Sequence, residues 1–201
     1  KGSLNTFLNA MTYPDKTVYP IASCNDVDFK NLMDIYMDAV FNPNIYKKEE
    51  IFKQEGWHYE SDGEKFFLNG VVFNEMKGVY SSADDVLESK ILQTIYNGNQ
   101  YKYESGGDPE VIPSLTYEAF LDYHKRHYDP ANSYIYLYGK MDIQERLDYL
   151  DREYLSKYSK ENFNTDTSVT VQKPFEAPIT VKSVYAVDEG EDTENSSYLS
   201  C

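Results

Sequence analysis

The stretch Gly70–Ser81, GVVFNEMKGVYS, sets a single carboxylate, Glu75, into an apolar run that has no basic residue before Lys77. At helical spacing the run opens a long helix from Val71 to the neighbourhood of Tyr96, bent near Ser81–Ser82, with Glu75 in its second turn. A mostly apolar helix must be covered by another layer. An acid on such a helix needs a cation or hydrogen-bond donors from elsewhere in the fold. Glu75 is therefore either a paired core acid, the commoner fate of buried carboxylates, or an acid kept for chemistry.

The rest of the chain supplies the layers. TFLNAMTY and KTVYPIAS read as two strands around a Pro14–Asp15 turn. NDVDFKNLMDIYMDAVF follows as a helix capped by Asn25 or Asp26, with Phe29, Leu32, Met33, Tyr36 and Val40 recurring at helical spacing and Pro43 ending it. A second helix is expected from Lys47 to about Tyr59, carrying Ile51, Phe52 and Trp57, before Gly63 closes a loop. Thr116 caps the helix YEAFLDYHKRHY, which Pro130 stops. NSYIYLYG, Asn132–Gly139, alternates Tyr with Ile and Leu like a strand with two different faces, and Ile143, Leu147, Leu150 and Tyr154 form one stripe of a last helix. This mixture predicts an α+β fold, helices packed on a largely antiparallel sheet. Two regions are expected: residues 1–159, an α/β domain lacking its N-terminal part, and residues 160–201, a linker and the start of a second domain.

At 41% hydrophobic and 15% aromatic residues, 201 residues suffice for a real core. The formal charge of -15 argues against nucleic acid and anionic membranes as partners and favours basic ligands. No run of about 18 apolar residues is present to form a spanning helix. Cys24 and Cys201 lie too far apart in sequence to imply a disulfide framework, so a reducing compartment is the default. The expected location is cytoplasmic, with the mitochondrial matrix or another organelle as the alternative.

Taken in order, KGSLNTFLNAMTYPDKTVYP (Lys1–Pro20), QEGWHYE (Gln54–Glu60), GVVFNEMKGVYS and SGGDPEVIPSLT (Ser105–Thr116) closely resemble the presequence protease branch of the pitrilysin/insulinase zinc metallopeptidases, over about Lys1 to Leu155. In that family two His of an H-x-x-E-H helix and a Glu of a later helix hold zinc. The Glu of N-E-M-K-G falls on Glu75, so the resemblance implies Glu75 as a metal ligand. No H-x-x-E-H occurs in this chain. The other two ligands and the general base are expected upstream of Lys1, so no catalytic residue is assigned here and the fragment alone is expected to be inactive. A second acid found in many members corresponds to Leu68, and no role is transferred to it.

The resemblance also implies that the strand matching LNAMT binds substrate main chain as an added strand, through Asn9, Ala10, Met11 and Thr12. Such pairing reads extension rather than sequence, which suits breadth of specificity. The implied whole is a zinc metalloendopeptidase degrading short unfolded peptides, closed into a chamber with the missing second half of the same polypeptide. Its alternative is a non-catalytic scaffold that keeps the fold and loses the metal. His124-x-x-His127 could present two rings on one helix face, but solvated or packing roles are commoner for such pairs. SGGDP lacks the Lys-Ser/Thr of a phosphate loop and runs into Pro109, so no chemistry is assigned to it.

Overall fold

The computed structural model of the protein describes residues 6–187, 189–190, 193–194 and 196–201. The architecture is α+β, as the sequence predicts. In chain order the elements are β1 (Phe7–Leu8), β2 (Met11–Thr12), β3 (Thr17–Val18), β4 (Ile21–Ala22), α1 (Asp26–Phe41), α2 (Glu49–Glu55), β5 (His58–Ser61), β6 (Phe66–Asn69), α3 (Val71–Val79), α4 (Ala83–Ile95), α5 (Tyr117–His127) and α6 (Ile143–Glu153). The strands pair as β1 with β4, β2 with β3 and β5 with β6. Two units are built from interleaved segments. One comprises the described residues of Lys1–Met11 with Thr17–Glu49 and Thr116–Thr167, the other Thr12–Lys16, Glu50–Leu115 and the described residues of Ser168–Cys201.

In the first unit, β1 and β4 are antiparallel, Phe7 opposite Ala22 and Leu8 opposite Ile21, and the ladder stops where Pro20 offers no N–H. Asn25 caps α1, its side chain accepting from Asp28 N–H at 3.0 Å. Met33 and Met37 of α1 pack against Leu150 and Tyr154, with Ile21, Phe41 and Leu137 around them. The expected stripe of α6 is half right. Leu150 and Tyr154 are buried, but Ile143 and Leu147 are about half exposed, and the turn before Leu150 instead buries Arg146, 2% exposed. Arg146 lies four residues before Leu150 and so shares its face. Tyr149 and Tyr154 both donate to Asp34 Oδ1 at 2.5 Å. Their hydroxyls hold the Asp34 carboxyl below its ordinary pKa, and the same bond pushes Tyr149 up to about 12.

Residues 132–139, expected as a strand, belong to no sheet among the described residues. The alternation holds in part: Tyr134, Tyr136 and Tyr138 are fully or largely exposed and Leu137 packs on the cluster, but Ile135 is exposed as well. A strand needs a ladder as well as two faces, and no neighbour among the described residues supplies one. Thr116 caps α5 as predicted, accepting from Ala119 N–H at 3.2 Å.

In the second unit the predicted helix to Tyr59 is shorter. α2 ends at Glu55, Gly56 N–H bonds Phe52 O at 2.8 Å, and His58 is already in a strand. β5 and β6 form an antiparallel hairpin from His58 opposite Asn69 to Ser61 opposite Phe66. Its tip is closed by Asp62, whose Oδ1 accepts from the N–H groups of Glu64 and Lys65, and by Gly63 at φ 96°. The long helix from Val71 is two helices. Ser82 leaves the helical conformation and its hydroxyl accepts from Asp85 N–H, so α4 begins with a cap of its own. Phe73, Met76 and Ile112 form the buried cluster, with Trp57, Leu68, Val79 and Tyr80 against it. Past α6, residues 163–187 carry no helix or strand. Gln172 bonds Gly98 N–H at 2.9 Å and also donates to Ile95 O, holding this tail to the end of α4.

Candidate functional site

The burial pattern of α3 decides what Glu75 is. Phe73 and Met76, three residues apart, are the buried face, whereas Val71, Asn74 and Glu75 are exposed. Expecting Glu75 in a core needing a partner is corrected: it faces solvent, and among the described residues it has neither ion pair nor hydrogen bond. The apolar residues around it mislead because Val71 stays on the surface and the helix is too short to be covered all round.

Beneath Glu75 the helix is well fixed. Gly70 precedes α3 at φ 154°, and a Cβ there would collide with Gly56 O and stand 2.8 Å from Trp57 Cα. Gly106 of the SGGDP loop lies equally close under Met76, where a Cβ would strike the sulfur. Gly107, at φ 96°, continues the loop against Ile112. The loop assigned no chemistry is thus a backing for the turn that carries Glu75.

Among the described residues no group of three or more His, Cys, Asp or Glu side chains could hold a metal ion. Glu75 suits zinc as one exposed, unpaired oxygen donor, and this chain offers it no companions. His124 is not one. Its Nε2–H donates to Val40 O at 2.9 Å, so Nδ1 accepts from the Tyr46 hydroxyl at 2.8 Å, and the ring stacks on Tyr128. Burial lowers its pKa, favouring the neutral ring. His127 packs at a tilt against Tyr123, and His58 bonds Lys53 O through Nδ1 at 2.8 Å.

Asn9 and Ala10 lie between β1 and β2. Asn9 N–H bonds Pro20 O at 3.2 Å, and Ala10 N–H turns back to Asn9 Oδ1 at 2.9 Å. Both line an open pocket of about 400 Å³ with Tyr19 of the hairpin and Ile35, Tyr36, Ala39 and Val40 of α1. Met11 belongs to the same unit, Thr12 and Glu75 to the other. The pocket was not foreseen. Its signal lay in α1, where Tyr36 and Val40 read as core positions although the buried residues are Leu32, Met33 and Met37, leaving Tyr36 and Val40 half-buried at its edge.

In one unit a short hairpin lies beside an apolar helix face, and in the other a helix presents one exposed acid. Residues 114–201 match the family model described as "Peptidase M16 inactive domain". The chain is 54% identical to "Protein HypA" of Clostridium perfringens (strain 13 / Type A), over 100% of this chain and 21% of that protein. It is 44% identical to "Presequence protease 1, chloroplastic/mitochondrial" of Arabidopsis thaliana, over 99% of this chain and 18% of that one. It is also 44% identical to "Presequence protease, mitochondrial" of Drosophila melanogaster, over 78% and 16% respectively. The chain belongs to the peptidase M16 family, the pitrilysin/insulinase peptidases, and resembles its presequence protease branch. It spans about a fifth of the length of these relatives. No helix of the described residues is long and apolar enough to cross a membrane.

Proposed function

We propose that the full-length protein is a zinc metalloendopeptidase acting on short unfolded peptides, and that this chain contributes one zinc ligand, Glu75, and a strand segment, Asn9–Thr12, that holds substrate main chain. The observation that carries the proposal is the state of Glu75: solvent-facing and unpaired, on a helix fixed from behind by Phe73 and Met76. A solvent-facing acid needs no partner from its own fold, so the carboxylate is free to meet a metal ion held by other parts of the polypeptide. A bound zinc ion supplies Lewis acidity for hydrolysis of the peptide bond. Glu75 would offer it one carboxylate oxygen, with the remaining ligands and the general base supplied by other parts of the polypeptide. Asn9 and Ala10 would present backbone to an extended peptide, while the apolar pocket beside them accepts a side chain.

The partners proposed are peptide substrates and the other half of the same polypeptide, with neither nucleic acid nor membrane. The net charge of -15 supports basic peptides. The proposed location is cytoplasmic, the matrix of an organelle being the alternative; the presequence protease relatives named above are mitochondrial or chloroplastic.

One observation favours the scaffold reading, in which the fold survives without the metal. The family model matched by residues 114–201 is described as an inactive domain. Hydrolysis of a quenched fluorescent peptide by the full-length protein separates the two. The peptidase reading expects cleavage that a chelator stops and added zinc restores, and the scaffold reading expects none.

A further inference from the structure

We propose that Asn69 is a positioning residue for Glu75, fixing the rotation of α3 so that the carboxylate keeps one direction toward a metal ion. The inference rests on the reading of Glu75 as a zinc ligand given above.

The N-cap of α3 is Gly70, which has no side chain with which to cap the free N–H groups of the first turn. Asn69, one residue earlier at the end of β6, holds the cap residue itself and the start of the second turn. Its Oδ1 accepts from Gly70 N–H at 2.8 Å and from Asn74 Nδ2 at 2.6 Å. Its Nδ2 donates to Glu60 Oε2 on β5. One amide therefore ties the hairpin to both ends of the first turn of α3. Asn74 is held twice, since its own N–H bonds Gly70 O at 2.9 Å.

Glu75 is the next residue after Asn74. In a helix of 3.6 residues per turn, adjacent side chains diverge by a fixed angle of about 100°. Anchoring the Asn74 side chain to the hairpin therefore sets the direction in which Glu75 leaves the helix, without any contact to its carboxylate. The apolar face cannot do this as well. Packing of Phe73, Met76 and Ile112 fixes how deep α3 sits, but apolar attraction is non-directional, whereas a hydrogen bond favours one distance and angle.

The test is the zinc affinity of the full-length protein, measured by competition with a chromophoric chelator, together with amide hydrogen exchange over residues 70–75 in the metal-free protein. Asn69→Ala is expected to weaken zinc binding by about 10- to 100-fold, the usual effect of losing a group that orients a ligand, and to speed exchange in the first turn. Asn69→Asp combined with Glu60→Gln keeps all three hydrogen bonds with one donor and acceptor exchanged, and is expected to restore both readouts. Should Asn69→Ala fail to fold, Asn74→Ala, which removes only an exposed amide, is expected to reproduce the loss. Wild-type affinity in Asn69→Ala or Asn74→Ala, while Glu75→Gln abolishes binding, overturns this inference and leaves Glu75 a ligand. Equal zinc binding by wild type and Glu75→Gln overturns the ligand reading and this inference with it.

Discussion

The Arg146 guanidinium donates to the Asp26 carboxylate at 2.6 Å, joining α6 to the first turn of α1. The pair is lopsided: the Arg146 side chain is 3% exposed and that of Asp26 63%. Among the described residues Arg146 Nε has no hydrogen-bond partner. Removing Asp26 leaves a buried cation short of an acceptor, which costs about 1–3 kcal/mol. Replacing both by apolar groups of similar shape can be nearly neutral. Urea unfolding of the full-length protein should therefore show Asp26→Ala less stable by that amount, with most of the loss recovered on adding Arg146→Met.

Burial lowers the pKa of His124 from 6.5, and burial with the nearby Arg126 lowers that of His127. As pH falls, the unfolded chain takes up these protons before the folded one does. The stability they contribute is full above about pH 6.5 and declines as pH drops through the lower folded values. The melting temperature should fall between pH 7.5 and pH 5, and His124→Gln should flatten part of that slope.

At Gly70 the backbone is at φ 154°, and any side chain would strike Gly56 O. The obstacle is main chain, which cannot swing aside as the Met76 sulfur can before Gly106. Gly70→Ala should cost about 3 kcal/mol, the upper end of ordinary overpacking, and Gly106→Ala less, by thermal or urea unfolding.

This chain carries a net charge of -15, so the proposed peptidase should draw basic peptides to this part of it more strongly than neutral ones. Raising salt from 0.02 M to 0.5 M is expected to lower kcat/KM for a peptide rich in Lys and Arg by about tenfold while leaving a neutral peptide of equal length unchanged. Equal salt response would remove charge steering from the account.

Local chemistry was legible where a single residue decides the outcome. Asn25 and Thr116 cap the helices predicted for them, and Pro43 follows the end of α1. Hairpin β5–β6 was hidden because Trp57 and His58 continue the mixed apolar and charged pattern of α2. Asp62–Gly63, a strong turn pair, marked it. Residues 132–139 show the reverse: their alternation holds at Leu137, yet pairing depends on a neighbour that a local pattern cannot reveal. Glu75 and Asn9–Thr12 were singled out by family resemblance, not spacing. What their own neighbourhood could not show is that Glu75 is solvent-facing, since Val71 and Val72 look like core residues until Phe73 and Met76 are seen to take the buried face.

The central claim is that Glu75 is a metal ligand. Zinc per protein, measured by inductively coupled plasma mass spectrometry on dialysed full-length wild type and Glu75→Gln, tests it most directly. One zinc in wild type and a loss of it in a folded Glu75→Gln protein is the predicted result. Equal zinc in both, or none in wild type, would contradict it.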